Sequence, residues 1–375
     1  MNSYEKKKIN VGVFAYDFFP IFGGQGRHIY EIYRQNRIHK KVNMYIFSPN
    51  VNSLKNHISI FPETKKSKFK NIELSFQINK KIENLIEKYD LDIVHIHGGP
   101  GGLFLFKKLR VPTMYTVHHT YWQQYHYIKS QSWKYLFYLF EKKSYQFADK
   151  IICVSEDTKR IIHDHYSIDT TMLEYIPNGI DLNYFRSLKK LHDHSKEIIY
   201  VGRIDKRKGV DFLIRSMRLV TKKDPDITLH IVGEGSVKSN LERYSKANKL
   251  PIIFHGRLSD KEVDTLYENI AIQVVPSIFE GFGLSVLEGM GRGVPVIATN
   301  SDGIRGIIKH CYSGLLIPYN NEQILANRII FLVNNETMRK ELVQNADSEL
   351  GKYNWDDIYQ KTIVRYDKLA LHKYT

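Results

Sequence analysis

The chain has 375 residues, well beyond one ordinary domain of roughly 100–200 residues, so two compact units with separate cores are expected. A formal charge of +15 favours anionic partners such as nucleotides, phospholipid headgroups or nucleic acid, without choosing among them. Two cysteines exclude a disulfide-built fold, and the apolar cluster "YLFYLF" is far shorter than the roughly 20 residues that span a bilayer.

The opening "MNSYEKKKINVGVFAYDFFP" mimics a signal peptide, but Asp17 and the shortness of the apolar run argue against one. From Ile9, short apolar runs ("INVGVFAY", "VNMYIFS", "LDIVHIH", "VPTMYTVHH", "KIICVS") alternate with helical patterns such as "RHIYEIYRQN". That alternation predicts βαβ units around a parallel sheet. Cys153, inside "KIICVS", reads as a buried reduced thiol, which suits a cytoplasmic protein.

Between Ile176 and Glu197, Pro, Asn-Gly and a charged polar tail read as a turn followed by a linker, which puts a domain boundary near 185 to 195. A second α/β series follows: "KEIIYVG", "ITLHIVGEG", "PIIFHG", "IAIQVVPS" and "VPVIAT". The final "YNWDDIYQKTIVRYDKLALHKY" has helical spacing and reads as a terminal helix packed on the body.

In open α/β sheets, ligands sit beyond the carboxyl ends of the strands, where loops expose backbone N–H groups and helix N-termini attract anions. The stretch "PSIFEGFGLSVLEGMGRGVPVIATN" has that pattern. Its strand ends near Ser277, its loop carries Glu280, Gly281, Phe282 and Gly283, and a helix starts at Leu284. The two glycines let amides approach a phosphate, while Glu280 at the mouth and Glu288 about one helical turn inside can reach two parts of one ligand.

Either glutamate alone also reads as a cap or a solvated carboxylate. Upstream, "YVGRIDKRKGVDFL" puts Arg203 and Lys208 on a strand-end loop, where two cations suit a diphosphate, although the run also reads as a solvated charge cluster. The glycine loops in "HIVGEGS" and "HGRLSDKEV" are pocket wall or plain turns. His95 and His97 alternate on a strand, but without neighbouring cysteines or ordered carboxylates they make a poor metal site.

Taken in order, "FGGQGRHIYEI", "DIVHIHG", "TVHH", "ICVSE", "IPNGID", "VGRIDKRKG", "IVGEG", the Glu280/Glu288 pair and "YNWDDIYQK" resemble the family-4 retaining glycosyltransferases of the GT-B fold. The resemblance covers nearly the whole chain. It implies two Rossmann-like domains facing each other across a cleft: an acceptor-binding domain over 1–185, a nucleotide-sugar-binding domain over 186–352, and a helix over 353–375 that crosses back to the first.

It further implies that Arg203 and Lys208 hold the donor pyrophosphate, Glu288 the ribose hydroxyls and Glu280 the donor sugar hydroxyls, with the amides of Phe282, Gly283 and Leu284 completing the phosphate site. Gly23 and Gly24 resemble the family's flexible loop, though Gly-Gly alone is an ordinary turn. His118 matches the histidine of the "TxH" segment and would meet the transferred sugar. Here His119 replaces the commoner acidic neighbour, which leaves open what the segment touches.

The implied reaction is α-retaining transfer of a hexose or N-acetylhexosamine, from a UDP-sugar in preference to a GDP-sugar, to a glycan, lipid-linked or small-molecule acceptor. No metal cofactor is expected, because cations and a helix dipole can stabilise the departing diphosphate. The aromatic run His118 to Phe140 either buries its rings or exposes them. With Lys65, Lys66, Lys68 and Lys70 nearby in sequence, exposed rings would suit the anionic inner face of a membrane.

Three rivals remain. A nucleotide-sugar epimerase or sugar phosphorylase of the same architecture would differ in its products. A basic membrane- or nucleic-acid-binding module would leave the ordered motifs unexplained, and no nucleic-acid motif is present. A dehydrogenase lacks its G-x-G-x-x-G after the first strand.

Overall fold

The computed structural model describes residues 8–16, 18, 23–49, 54–60, 69–100, 102–188 and 195–371. The chain divides into two units, residues 1–179 with 355–375, and residues 180–354.

Among the described residues, the first unit carries β1 (Asn10–Phe14), β2 (Asn43–Ser48), β3 (His57–Ser59), β4 (Ile93–Gly98), β5 (Thr113–Val117), β6 (Lys150–Cys153) and β7 (Leu173–Tyr175). They form one sheet in the order β3-β2-β1-β4-β5-β6-β7, parallel throughout. Central strands β1, β4 and β5 are buried along their whole length, because helices cover both faces of the sheet. Phe14, Phe47, Val94 and Tyr115 pack into one core, and Val11, Val13, Ile46 and Met114 into the other.

The helix Trp355–Leu371 completes the second of these cores with Ile358, Tyr359, Ile363 and Tyr366. It is tied to the helix Gly24–His39, where the Tyr359 hydroxyl donates to Asn36 Oδ1 (2.8 Å) and His39 Nε2 lies 2.6 Å from Asp356 Oδ1. Arg365 also pairs with Glu174 at the sheet edge.

The aromatic run folds as the helix Tyr121–Tyr127, a tight turn Lys129–Lys134 and the helix Tyr135–Tyr145. Thr120 starts it, its side chain accepting from the Gln123 amide while Gln123 reaches back to the Thr120 amide. Phe137, Tyr138 and Tyr145 face the core, whereas Tyr135, Leu136 and Leu139 face outward. Buried Glu141 anchors the segment: it accepts from the Tyr121 amide (2.8 Å), the Tyr145 hydroxyl (3.0 Å) and the Tyr166 hydroxyl. Burial raises its carboxyl to about 7, against the pull of those hydrogen bonds.

The second unit carries β8 (Glu197–Val201), β9 (Thr228–Val232), β10 (Ile252–Gly256), β11 (Ile270–Val275), β12 (Val296–Thr299) and β13 (Leu315–Ile317). Their order is β10-β9-β8-β11-β12-β13, again parallel. The chain winds outward from β8 to one edge and then resumes at β11 on the other side of β8. The switch point therefore lies between β8 and β11, where an open α/β sheet leaves a crevice at its carboxyl ends.

One face of this sheet packs against the helices Val210–Lys223 and Glu322–Val333 through Phe212, Leu213, Met217, Leu325 and Ile329. On the other face Arg292 lies between the rings of Phe185 and Tyr267, 4.6 and 4.5 Å from their centroids, and donates to Asp264 Oδ1 through Nη2 (2.7 Å). Both units are Rossmann-like parallel-sheet folds. The edge strands β3, β7 and β13 have three residues each, too few to show a periodicity in sequence.

Candidate functional site

Two loops leave the sheet of the second unit at its switch point. One follows β8 and runs to Gly209, and the other follows β11 and runs from Pro276 to Gly283. They touch at Gly209, whose φ of +65° and whose missing side chain are both required: a Cβ there would lie 2.0 Å from the Pro276 carbonyl oxygen. The contact is held by the Ile278 amide, which donates to the Arg207 carbonyl (2.9 Å).

This contact brings three charges together. Glu280 Oε1 accepts from Lys208 Nζ (2.6 Å) and from the Ser277 hydroxyl (2.7 Å), and Oε2 accepts from Arg207 Nη1 (2.9 Å). Arg207 Nη1 also donates to the Phe279 carbonyl (3.1 Å). The glutamate is only 6% exposed and Arg207 only 8%. Burial would raise the Glu280 carboxyl, but Lys208 and Arg207 outweigh it and hold the group well below the usual carboxylate range. Burial likewise lowers the Lys208 ammonium, with Glu280 pulling the other way.

The sequence reading placed Glu280 at an open mouth and paired Lys208 with Arg203. In the structure Glu280 is enclosed, and the second cation on it is Arg207. Arg203 points outward, its side chain 60% exposed and its Nη2 3.6 Å from Asp205 Oδ2. Lys206–Lys208 form a tight 3-10 turn that leaves Lys206 exposed and brings Arg207 and Lys208 together onto Glu280, which spacing along the sequence does not reveal.

Beyond Glu280 the backbone turns at Gly283, in the left-handed region with φ +109°, and the helix Leu284–Gly291 begins. The fold gives the amides of Phe282, Gly283 and Leu284 no hydrogen-bond acceptor among the described residues. Together with the helix dipole they form an end whose partial positive charge suits an anion. Glu288 is half-buried one turn further along, where its charge acts on Arg292 and Tyr267.

In the first unit, Gly23 caps the helix Gly24–His39 and Gly24 is its first residue. His118 follows β5 directly and is buried. Its Nε2 lies 2.9 Å from Nδ1 of His97, and both rings meet the edge of His28, whose Nδ1 donates to Asn178 Oδ1 (2.7 Å). His95 is bound instead to the Tyr366 hydroxyl (2.7 Å) and to Thr116 Oγ1 (2.8 Å). His119 pairs with Gln124 Nε2 (3.1 Å). Among the described residues no group of three or more His, Cys, Asp or Glu could hold a metal ion. Lys65, Lys66 and Lys68 lie outside the described residues, as does the side chain of Lys70.

Comparison with known proteins identifies the family and the fold. Residues 22–184 match the model described as Glycosyltransferase Family 4, and residues 185–349 the model described as Glycosyl transferases group 1. The protein named uncharacterized glycosyltransferase MJ1178, from Methanocaldococcus jannaschii, is 30% identical over 372 residues, covering 94% of this chain and 97% of that protein. The chain belongs to the family 4 glycosyltransferases.

A phosphatidyl-myo-inositol mannosyltransferase of Mycobacterium tuberculosis is 26% identical over 206 residues, 52% of this chain and 54% of that protein. Among solved structures, a sucrose-phosphate synthase from Thermosynechococcus elongatus superposes with a TM-score of 0.82 at 20% identity, covering 96% of this chain and 99% of that one. HepE of Anabaena, in complex with UDP-glucose, gives 0.74 at 16% identity, covering 96% and 100%. These neighbours carry the GT-B fold.

Two outcomes follow for the stability of this glycosyltransferase. Glu280→Ala leaves Arg207 and Lys208 buried without their counter-ion and should cost about 3–5 kcal/mol, measured as a loss in urea unfolding free energy. A cost near that of a surface substitution would show that the triad is not enclosed in solution.

The second concerns pH. Burial lowers His28 to about 4, His95 to about 3, and His97 and His118 well below the ordinary value. The unfolded chain takes up these protons near pH 6.5, so the stability is complete above that pH. It is lost as pH falls from 6.5 toward the folded values, by about 2 kcal/mol at pH 5 for each imidazole that stays neutral. Glu141, raised to about 7, works in the opposite sense, one group against four. The urea midpoint should therefore be lower at pH 5 than at pH 7.5. An equal or higher midpoint at pH 5 would contradict the neutral cluster.

Proposed function

We propose that the enzyme transfers a hexose or N-acetylhexosamine from a nucleotide-diphosphate sugar, UDP-linked in preference, to a glycan, lipid-linked or small-molecule acceptor with retention of the α configuration. The observation that carries this reading is the enclosed Arg207–Glu280–Lys208 triad beside the amides at the start of the helix Leu284–Gly291. One carboxylate against two cations leaves a positive excess, and breaking the anomeric bond places new negative charge on a diphosphate.

In this reading Lys208 and Arg203 engage the pyrophosphate, with Arg207 holding Glu280 in place. The amides of Phe282, Gly283 and Leu284 take the remaining phosphate oxygens, Glu288 takes the ribose hydroxyls, and Glu280 offers its remaining lone pairs to a hydroxyl of the donor sugar. The family resemblance assigns Gly23 and Gly24 to the donor phosphate and His118 to the sugar. Cations and the helix dipole carry the leaving group, so the reaction needs no metal, and a chelator should leave its rate unchanged. The UDP complexes of HepE support a uridine donor.

A lipid-linked acceptor at the cytoplasmic face of an anionic membrane is favoured by one surface. Phe69, Phe76, Trp133, Tyr135, Leu136 and Leu139 are each 43–52% exposed. Phe69 and Trp133 meet Phe137 (6.1 and 5.6 Å), Phe137 reaches Phe140 through Phe104 (6.5 and 6.1 Å), and Phe140 continues to Phe106 and Phe76 (6.1 and 4.7 Å). Lys107, Lys129 and Lys143, close in sequence to these residues, are also exposed, a composition that suits an interface with anionic headgroups. The phosphatidyl-myo-inositol in the name of the mycobacterial relative supports a lipid acceptor.

A thermal-shift panel of UDP, GDP, ADP and CMP should show stabilisation by UDP. Lys208→Ala should abolish that shift and lower kcat/KM by roughly 100-fold or more. Stabilisation by no nucleotide would overturn the donor assignment, and product analysis separates transfer from epimerisation or phosphorolysis. In vesicle flotation the protein should rise with anionic liposomes and fail to do so as the Trp133→Ser, Leu136→Ser double variant. Wild-type protein that stays at the bottom of the gradient would remove the membrane proposal.

A further inference from the structure

We propose that His97 is a positioning residue: its Nδ1 accepts the Nε2 proton of His118, fixing that ring's plane and tautomer so that His118 presents a bare Nδ1 lone pair to a substrate hydroxyl. The inference rests on the reading that His118 meets the transferred sugar.

The placement comes from the sheet. In the β4–β5 pairing Gly98 sits opposite Val117, so His97 is the last side chain of β4 and His118 the first residue beyond β5, both at the carboxyl end. Their rings lie nearly parallel, 16° apart with centroids 5.3 Å apart, and their nitrogens are 2.9 Å apart. Both side chains are buried.

The neighbours narrow the hydrogen-bond assignment. His28 is committed through Nδ1 to Asn178, and His95 uses both its nitrogens on Tyr366 and Thr116. Among the described residues, the hydrogen bonds of His97 and His118 are to each other. A neutral imidazole has one N–H and one lone pair, so this bond takes the proton of one ring and the lone pair of the other.

Burial, followed by the fields of neighbouring histidines, keeps both rings neutral. The intrinsically favoured neutral tautomer carries its proton on Nε2. The observed Nε2-to-Nδ1 contact is the one that lets both rings keep that tautomer at once. It leaves His118 Nδ1 as an acceptor, suited to orienting a hydroxyl and unsuited to donating to a phosphate.

The test compares His97→Phe, which keeps a stacked ring but removes the acceptor, with His97→Asn, whose amide oxygen can replace Nδ1. His97→Phe should lower kcat roughly 10- to 100-fold while the donor KM stays within about threefold, and His97→Asn should restore most of the rate. Nitrogen-15 spectra of histidine-labelled protein should show His118 protonated on Nε2 in the wild type and a tautomer mixture in His97→Phe.

Wild-type kcat in His97→Phe, a proton on His118 Nδ1, or a tautomer unchanged by the substitution would each overturn the inference. If His118→Phe leaves transfer intact while Lys208→Ala abolishes it, this inference fails and the transferase assignment stands. If no nucleotide sugar is turned over by the wild type, the donor reading fails, and the spectra still decide the hydrogen bond.

Discussion

A single carboxylate, Glu280, holds two cations inside the second unit. Taking three charges out of water costs several kcal/mol per ion, and the mutual attraction offsets that only when the geometry is close and the remaining lone pairs are satisfied. Here Ser277 donates to the carboxylate, and the Thr299 hydroxyl on the neighbouring strand bonds the Ser277 carbonyl. The cost of assembly is met in the folding of the sheet, so the cations stand in position before any ligand arrives. Such pre-arranged charge avoids reorganisation when a leaving group becomes negative.

The glycines serve that constraint. Lys208 reaches Glu280 because Gly209 lets one loop lie on the carbonyl of the other, and the helix amides open toward the same region because Gly283 turns the backbone through a left-handed conformation. The doubly wound order brings the loops after β8 and β11 side by side although more than 70 residues separate Lys208 from Glu280. The first unit has the same sheet order at its centre but an uncharged cluster in place of a positive excess. Around His97 and His118, at the carboxyl ends of β4 and β5, it gathers His95 from within β4 and His28 from a helix, and keeps all four imidazoles uncharged by burial.

Much of this was legible in the sequence, and the limits have physical causes. The buried strands showed as continuous apolar runs, and the alternation with helices predicted two parallel sheets. The ordered motifs identified the family, and Glu280 and Lys208 were each singled out, but their pairing was not, since the sequence reading set Lys208 beside Arg203 and Glu280 beside Glu288. Arg207 was missed as the second cation on Glu280 because a run of basic residues on a tight turn carries no record of which side chain points inward. The histidines were visible singly. Their clustering needed the β4–β5 register and the entry of His28 from a helix some 70 residues earlier. The aromatic run could be read as buried or exposed, and it is both, since one helix presents Phe137 and Tyr138 inward and Leu136 and Leu139 outward.

The two electrostatic regimes suit different tasks. A fixed positive excess suits charge that is present in the ground state and grows in the transition state, as on the diphosphate of the proposed donor. A neutral imidazole array adds no net charge. It offers direction instead, because each ring has one donor and one acceptor and its neighbours decide which faces outward. A sugar hydroxyl differs from its epimer only in direction, so a directional acceptor distinguishes them where a point charge would not. Keeping the histidines uncharged has a cost, since the unfolded chain accepts protons that the folded one refuses as pH falls below 6.5. That cost is small at neutral pH, which is the condition under which a buried neutral cluster can be used for orientation.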